Sequence, residues 1–134
     1  MKTFILATLG YLIPTFILGA SWHFFLFNEL YDSFGIYNRK DPIIPLGFGS
    51  MLIQGVILAY LFPFYNEKGY SIIRGIQFSL VMGLFLYSVS TIANAAKIEV
   101  NSINMWFLIQ AIFHIIQFTI AGFFIGLVYK KQSI

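Results

Sequence analysis

Histidines His23 and His114 and glutamines Gln54, Gln77, Gln110 and Gln117 stand inside otherwise apolar stretches of this sequence, and any chemistry the chain performs has to be built around them. Gln110, His114, Gln117 and Ala121 recur at i, i+4, i+7, i+11, which places them on one narrow helix face. Gly122 and Gly126 form a small-xxx-small pair about a third of a turn away, where another helix can approach closely. Gly47, Ser50 and Gln54 share a face in a second apolar stretch, and Gln77, Ser88, Thr91 and Ala95 lie along another in a third. The first stretch contributes Gly10, Pro14, Ser21 and His23. Amides and hydroxyls so placed do one of two things. They bond one helix to the next, for about 0.6 kcal/mol on average, or they line a pocket for a small polar or amphipathic ligand. His23, Ser50, Gln54, Gln77, Ser88, Gln110, His114 and Gln117 are the candidates for either role, all directed at a common interior.

Other chemistries are less well supplied. Paired imidazoles are ordinary axial ligands. At about 1.5 Å per residue, however, His23 sits roughly 6 Å from the end of its helix and His114 roughly 16 Å from the start of its own. A shared metal ion is therefore not expected, and neither is a cofactor. The chain has no cysteine, which removes disulfide, thiolate-metal and thiol-nucleophile chemistry. No Asp, Glu or Lys falls mid-stretch, so the acidic residue that proton-coupled small drug exporters carry in their first helix has no match. Glu29, Asp32, Arg39 and Asp41 cluster after Trp22 and His23 in a polar connection. A membrane-surface enzyme would use His23, Glu29 and Asp32, and Ser21 stands near His23 without an evident orienting carboxylate. The sequence leaves enzymatic activity open but leans away from it.

The elements that must position these residues are membrane-spanning helices. The chain is 59% hydrophobic and 10% charged, where a soluble domain carries about 25% charged residues. Its mean hydropathy is +0.83. About 20 mostly apolar residues cross a bilayer as a helix, and four segments qualify: Thr3–Phe27, Leu46–Phe64, Ser71–Ala95 and Ile103–Tyr129. Strand alternation is absent, so the expected fold is all-α, an integral membrane antiparallel four-helix bundle in one domain over 1–134. The N-terminal run could be read as a cleaved signal, but Leu18 is bulky for a cleavage site and hydrophobicity continues through Phe27. It is read as the first span, kinked at Pro14. Asp41-Pro42 and Pro45 separate the first two spans, Pro63 with Asn66-Glu67-Lys68-Gly69 makes an inner turn, and Lys97–Asn101 is the third connection.

Lys2, Lys68, Arg74, Lys130 and Lys131 fall on one side and Arg39, Lys40 and Lys97 on the other, which favours both termini in the cytoplasm. Trp22 and Trp106 are then expected near the outer interface, with Tyr60, Tyr65, Tyr70 and Tyr129 near the inner one. In the connection Asn28–Pro45, Leu30, Tyr31, Phe34 and Tyr37 recur at helical spacing, as expected of a segment lying flat in the interface. That connection reads as a solvated linker or as a lid over a site. Its candidate residues are Trp22, Glu29, Asp32, Arg39 and Asp41.

Leu52-Ile53-Gln54-Gly55 echoes Leu108-Ile109-Gln110-Ala111, as duplication of a two-helix hairpin would require. The stretch Gly19-Ala20-Ser21-Trp22-His23, then Leu26-Phe27, Pro42-Ile43-Ile44-Pro45-Leu46-Gly47 and Gln54-Gly55, resembles an uncharacterised family of small bacterial four-span integral membrane proteins. The resemblance covers nearly the whole chain. It supports the four-helix fold and the importance of the Trp22–Pro45 region, and transfers no catalytic residue, substrate or cofactor; the expected location is a bacterial inner membrane. The leading expectation for function is a non-enzymatic accessory or scaffold subunit; the alternatives are a binder or carrier of a small uncharged or lipid-like ligand and an outer-interface enzyme. The expected partners are the lipid bilayer and a homo-oligomer or larger membrane complex. A net charge of +3, spread over the connections, does not imply nucleic acid.

Overall fold

In hydrocarbon every backbone N–H and C=O must be satisfied within the protein, which restricts a span without strand patterning to a helix. The computed structural model describes residues 1–36, 39–65 and 69–131. Helix α1 (Lys2–Ser21) runs on into a π-helical turn (Trp22–Leu26), followed by the short α2 (Asn28–Ser33) and by α3 (Ile44–Tyr65). Helix α4 (Ile72–Tyr87) continues through a second π-helical turn (Ser88–Ile92) into α5 (Ala93–Ala95), and α6 (Ile103–Lys130) closes the bundle. Four continuous rods, Lys2–Leu26, Ile44–Tyr65, Ile72–Ala95 and Ile103–Lys130, are long and apolar enough to cross a membrane. They form an all-α four-helix bundle. The end carrying both termini and the α3–α4 connection is here the termini end; the end carrying α2 is the loop end.

Lipid is as apolar as a leucine side chain, so helices associate in a bilayer through close packing and hydrogen bonds. The tightest seam joins α4 to α6. Gly75 of α4 lies directly against the backbone of Gly122 and Gly126, so that a Cβ on Gly122 would stand 2.5 Å from Ile76 Cα and one on Gly126 2.7 Å from Ile72 Cα. The close approach expected at Gly122 and Gly126 is made by α4. Helix α1 packs on both α3 and α6. Helix α3 meets α4 mainly near their connection, through Phe62–Phe78 and Tyr65–Phe78 ring contacts with centroids 5.4 Å apart. The buried residues of α3 are Gly55, Leu58, Ala59 and Phe62, all in its second half. Towards the loop end α3 and α4 therefore part.

Several expectations are corrected. Pro63 lies inside α3 rather than in the turn after it. Its missing N–H would leave the carbonyl of Ala59 unpaired, and the Tyr129 hydroxyl, reaching across from α6, donates to that oxygen. Pro14 lies inside α1, within the first span as expected. The turn Asn66-Glu67-Lys68 lies outside the described residues, as does Tyr37. Trp22 and Trp106 do stand together at the loop end, but buried in an aromatic cluster with Tyr31, Phe34, Ile109 and Phe113 rather than at a lipid interface. Tyr129 is also buried, whereas Tyr60 and Tyr65 are exposed. Tyr31 and Phe34 turn inward, so α2 plugs the loop end. Gly35, at φ +69°, ends this plug, and Asn101 N–H donates to the Phe34 carbonyl at 3.0 Å.

Candidate ligand site

Two hydrogen-bonded chains cross the bundle between helices. In the first, Gln117 Nε2 donates to the Tyr11 hydroxyl at 2.9 Å, Tyr11 donates to Gln54 Oε1, and Gln54 Nε2 donates to Ser50 Oγ at 3.1 Å. This ties α6, α1 and α3 together through the predicted glutamines and a tyrosine. In the second, Trp22 Nε1 donates to the Tyr31 hydroxyl at 3.1 Å, which donates to Gln110 Oε1. Burial pushes the Tyr31 phenol up to about 12, because its anion would have no water around it.

The histidines are held alike. His23 Nδ1 is 2.9 Å from the Gly19 carbonyl and His114 Nδ1 is 2.7 Å from the Gln110 carbonyl, each one turn back on its own helix. A carbonyl only accepts, so each Nδ1 carries the proton, and a ring in its neutral form presents Nε2 as an acceptor. His114 Nε2 lies 3.4 Å from Ser90 Oγ. His23 Nε2 has no partner among the described residues. The His23 ring sits 4.6 Å from that of Tyr31 and 5.0 Å from that of Phe113, and His114 lies 5.6 Å from the same Phe113 ring. His23 is thus level with Phe113. The offset in depth expected between the histidines disappears because α6 starts well beyond the end of α1, alongside α2. No group of three or more His, Asp or Glu that would hold a metal ion lies among the described residues.

Between the parted helices lies a cavity of about 530 Å³, lined from α1, α3, α4 and α6. Among the described residues its polar members are Thr15, His23, Ser50, Gln54, Ser90, Gln110, His114 and Gln117; the rest of the wall is glycine, aliphatic and aromatic, with no charged side chain among them. At His23, Phe24, Pro42 and Ile43 it adjoins a second cleft of about 660 Å³, which Asn28, Asp32, Arg39 and Lys40 make polar. His23 stands at the boundary of the two. Both π-helical turns face this site. The wide turn at Trp22–Leu26, with Phe27 N–H bonded to the Trp22 carbonyl at 3.0 Å, carries His23, and the one at Ser88–Ile92 carries Ser90. Such turns recur at functional sites.

Six of the intramembrane candidates, His23, Ser50, Gln54, Gln110, His114 and Gln117, thus line one cavity. Two do not. Gln77 is exposed on the outer surface of α4, because the stripe Gly75, Phe78, Ser79 and Gly83 is the one that α4 buries. Ser88 donates to the Phe85 carbonyl on its own helix at 2.7 Å. The expected face from Gln77 to Thr91 assumed unbroken α periodicity; across the π-helical turn the residue five on from Leu86, Thr91, becomes fully buried. Of the loop candidates, Trp22 is buried, Asp32 and Arg39 line the polar cleft, and Glu29 and Asp41 are exposed and line neither cavity. Missing from the candidates were Tyr11, Tyr31 and Ser90. The run Ser88-Val89-Ser90-Thr91, poor in helix-forming residues, was the available signal for Ser90; Tyr11 carried none beyond its hydroxyl in an apolar run. No family model, curated protein or solved structure matches this chain.

Proposed function

We propose that this integral membrane protein binds a small, uncharged, lipid-soluble molecule within the bilayer, as a carrier or receptor and without catalysis. The observation that supports this most is the 530 Å³ cavity at the loop end, a size within the range of about 300–1,000 Å³ usual for small-molecule sites. A bundle in which polar side chains served only to join helices would bond them to one another and close around them. Here the glutamines of the cavity wall bond tyrosines behind it, and the space between α3 and α4 stays open. An uncharged lining suits an uncharged ligand, since a buried unpaired charge is strongly unfavourable. The open α3–α4 side offers a route from the lipid, and the polar cleft beyond His23 offers one from the aqueous side.

We place the termini end in the cytoplasm of a bacterial inner membrane. The bias of Lys2, Arg74, Lys130 and Lys131 over Arg39, Lys40 and Lys97 supports the orientation, and the family resemblance supports the host membrane. Native mass spectrometry of protein extracted gently from its own membrane tests the reading. A small-molecule adduct released on activation is expected. Co-purifying protein chains with no adduct would favour the scaffold alternative instead.

A further inference from the structure

We propose that the cavity's ligand is a ring compound bearing a hydroxyl, a phenol-type head group on an apolar tail, whose hydroxyl donates to Nε2 of His23. The inference rests on the binding reading above and narrows it to a ligand class. Both cavity histidines commit Nδ1–H to a backbone carbonyl, so neutral imidazoles offer the ligand acceptors only. His114 Nε2 already has Ser90 beside it; His23 Nε2 is left over. A ketone, ester or ether brings only lone pairs to that nitrogen and leaves both sides unsatisfied, whereas a hydroxyl completes the bond.

The walls point the same way. Phe16, Phe24, Phe48 and Phe113 line the cavity, and Phe16 and Phe48 meet edge-on at 5.9 Å across the α1–α3 side. Flat faces of this kind stack a ring better than they pack a bare chain. Tyr31 and Phe113 clamp the His23 ring, so the acceptor is held in place before a ligand arrives, which reduces the ordering cost of binding. Among the described residues the lining carries no charged side chain, so a carboxylate or ammonium group inside the cavity, away from the cleft of Asp32, Arg39 and Lys40, would be buried unpaired. The gap between α3 and α4 lets an apolar tail remain in the lipid while the ring enters.

The test uses the full chain in lipid nanodiscs, titrated with 4-octylphenol and with 4-octylanisole, which differ only in whether the oxygen can donate. The phenol is expected to bind about tenfold more tightly, the equivalent of one hydrogen bond. His23→Phe should bring the two within about twofold by weakening the phenol alone. Independently of any variant, 15N-histidine-labelled protein should show one Nε2 resonance moving on addition of the phenol and unmoved by the anisole. Equal binding of the two probes, or a phenol preference that survives His23→Phe with no shifted Nε2 resonance, overturns the ligand class and leaves the binding reading standing. Failure of both probes to bind overturns the ligand class, and the presence or absence of the adduct in native mass spectrometry decides the binding reading separately.

Discussion

The two halves of this bundle are built on opposite rules. At the termini end, Gly75, Gly122 and Gly126 bring two backbones into direct contact, and Phe62, Phe78, Ile125 and Tyr129 fill the remaining space. At the loop end, Gly47 and Gly49 have nothing within 4 Å of where a Cβ would stand, both long π-bearing rods widen, and a cavity opens. The same residue type serves close approach in one half and leaves room in the other. The difference teaches where rigidity is needed: a tight half fixes the helix axes, so that the open half can hold a cavity without collapsing in a solvent that gives no hydrophobic reason to close it.

The sharpest way to break this comparison is to add a methyl group to each half. Gly122→Ala forces a Cβ against Ile76 and Gly75, and should cost about 3 kcal/mol, the upper end of ordinary overpacking, in reversible unfolding from mixed micelles. Gly47→Ala meets open space and should be neutral or stabilising by up to about 1 kcal/mol, since alanine is the better helix former. Equal losses at the two sites would erase the distinction between the halves.

Hydrogen bonds give the next effects in size. Tyr31→Phe removes the hydroxyl that joins Trp22 to Gln110 and leaves both groups unpaired, at about 2 kcal/mol, measurable by the same unfolding assay. Burial of the phenol also has a pH signature. The folded chain keeps the Tyr31 proton up to about 12, while an unfolded tyrosine gives it up near pH 10. The folded form thus binds the extra proton in this window, so this contribution to stability is intact below about pH 10 and is lost as pH rises towards 12. Tyr31→Phe should abolish that alkaline slope.

At the termini end, Tyr129→Phe should cost about 1–2 kcal/mol by orphaning the Ala59 carbonyl, and Pro63→Ala, which restores the helical N–H, should recover most of it. A double-mutant cycle on the unfolding free energy reads this coupling, and additive effects would contradict the account of Pro63. The smallest effect belongs to Gln77→Ala, on the exposed face of α4, which should change stability by less than about 0.5 kcal/mol.

How much of this was legible beforehand follows from what each signal depends on. The spans were legible because hydrocarbon thickness sets a length and backbone satisfaction sets a helix. The face Gln110–His114–Gln117 and the pair Gly122–Gly126 were legible because α6 runs uninterrupted, so its 3.6-residue periodicity held over its length. Gln77 and Ser88 were misplaced because in lipid a polar residue does not reveal which side of its helix is buried; the small residues Gly75, Ser79 and Gly83 did. The relative level of His23 and His114 depended on where α6 begins relative to α1, which no residue count within one helix contains. The role of Pro63 required Tyr129, distant in sequence. Trp22 read as an interfacial anchor because an aromatic near a helix end usually is one; here α2 covers it.

The central claim is that, among the described residues, the loop-end half holds an open, water-connected cavity and the termini-end half is packed. The absence of cysteine from the chain allows a direct measurement by single substitution and maleimide labelling in native membranes. Ser90→Cys stands in the cavity wall and Ser79→Cys in the packed half, where the serine is fully buried. The account predicts that N-ethylmaleimide modifies Ser90→Cys in the folded protein and reaches Ser79→Cys only after denaturation. Equal protection of both thiols in the folded protein would contradict it.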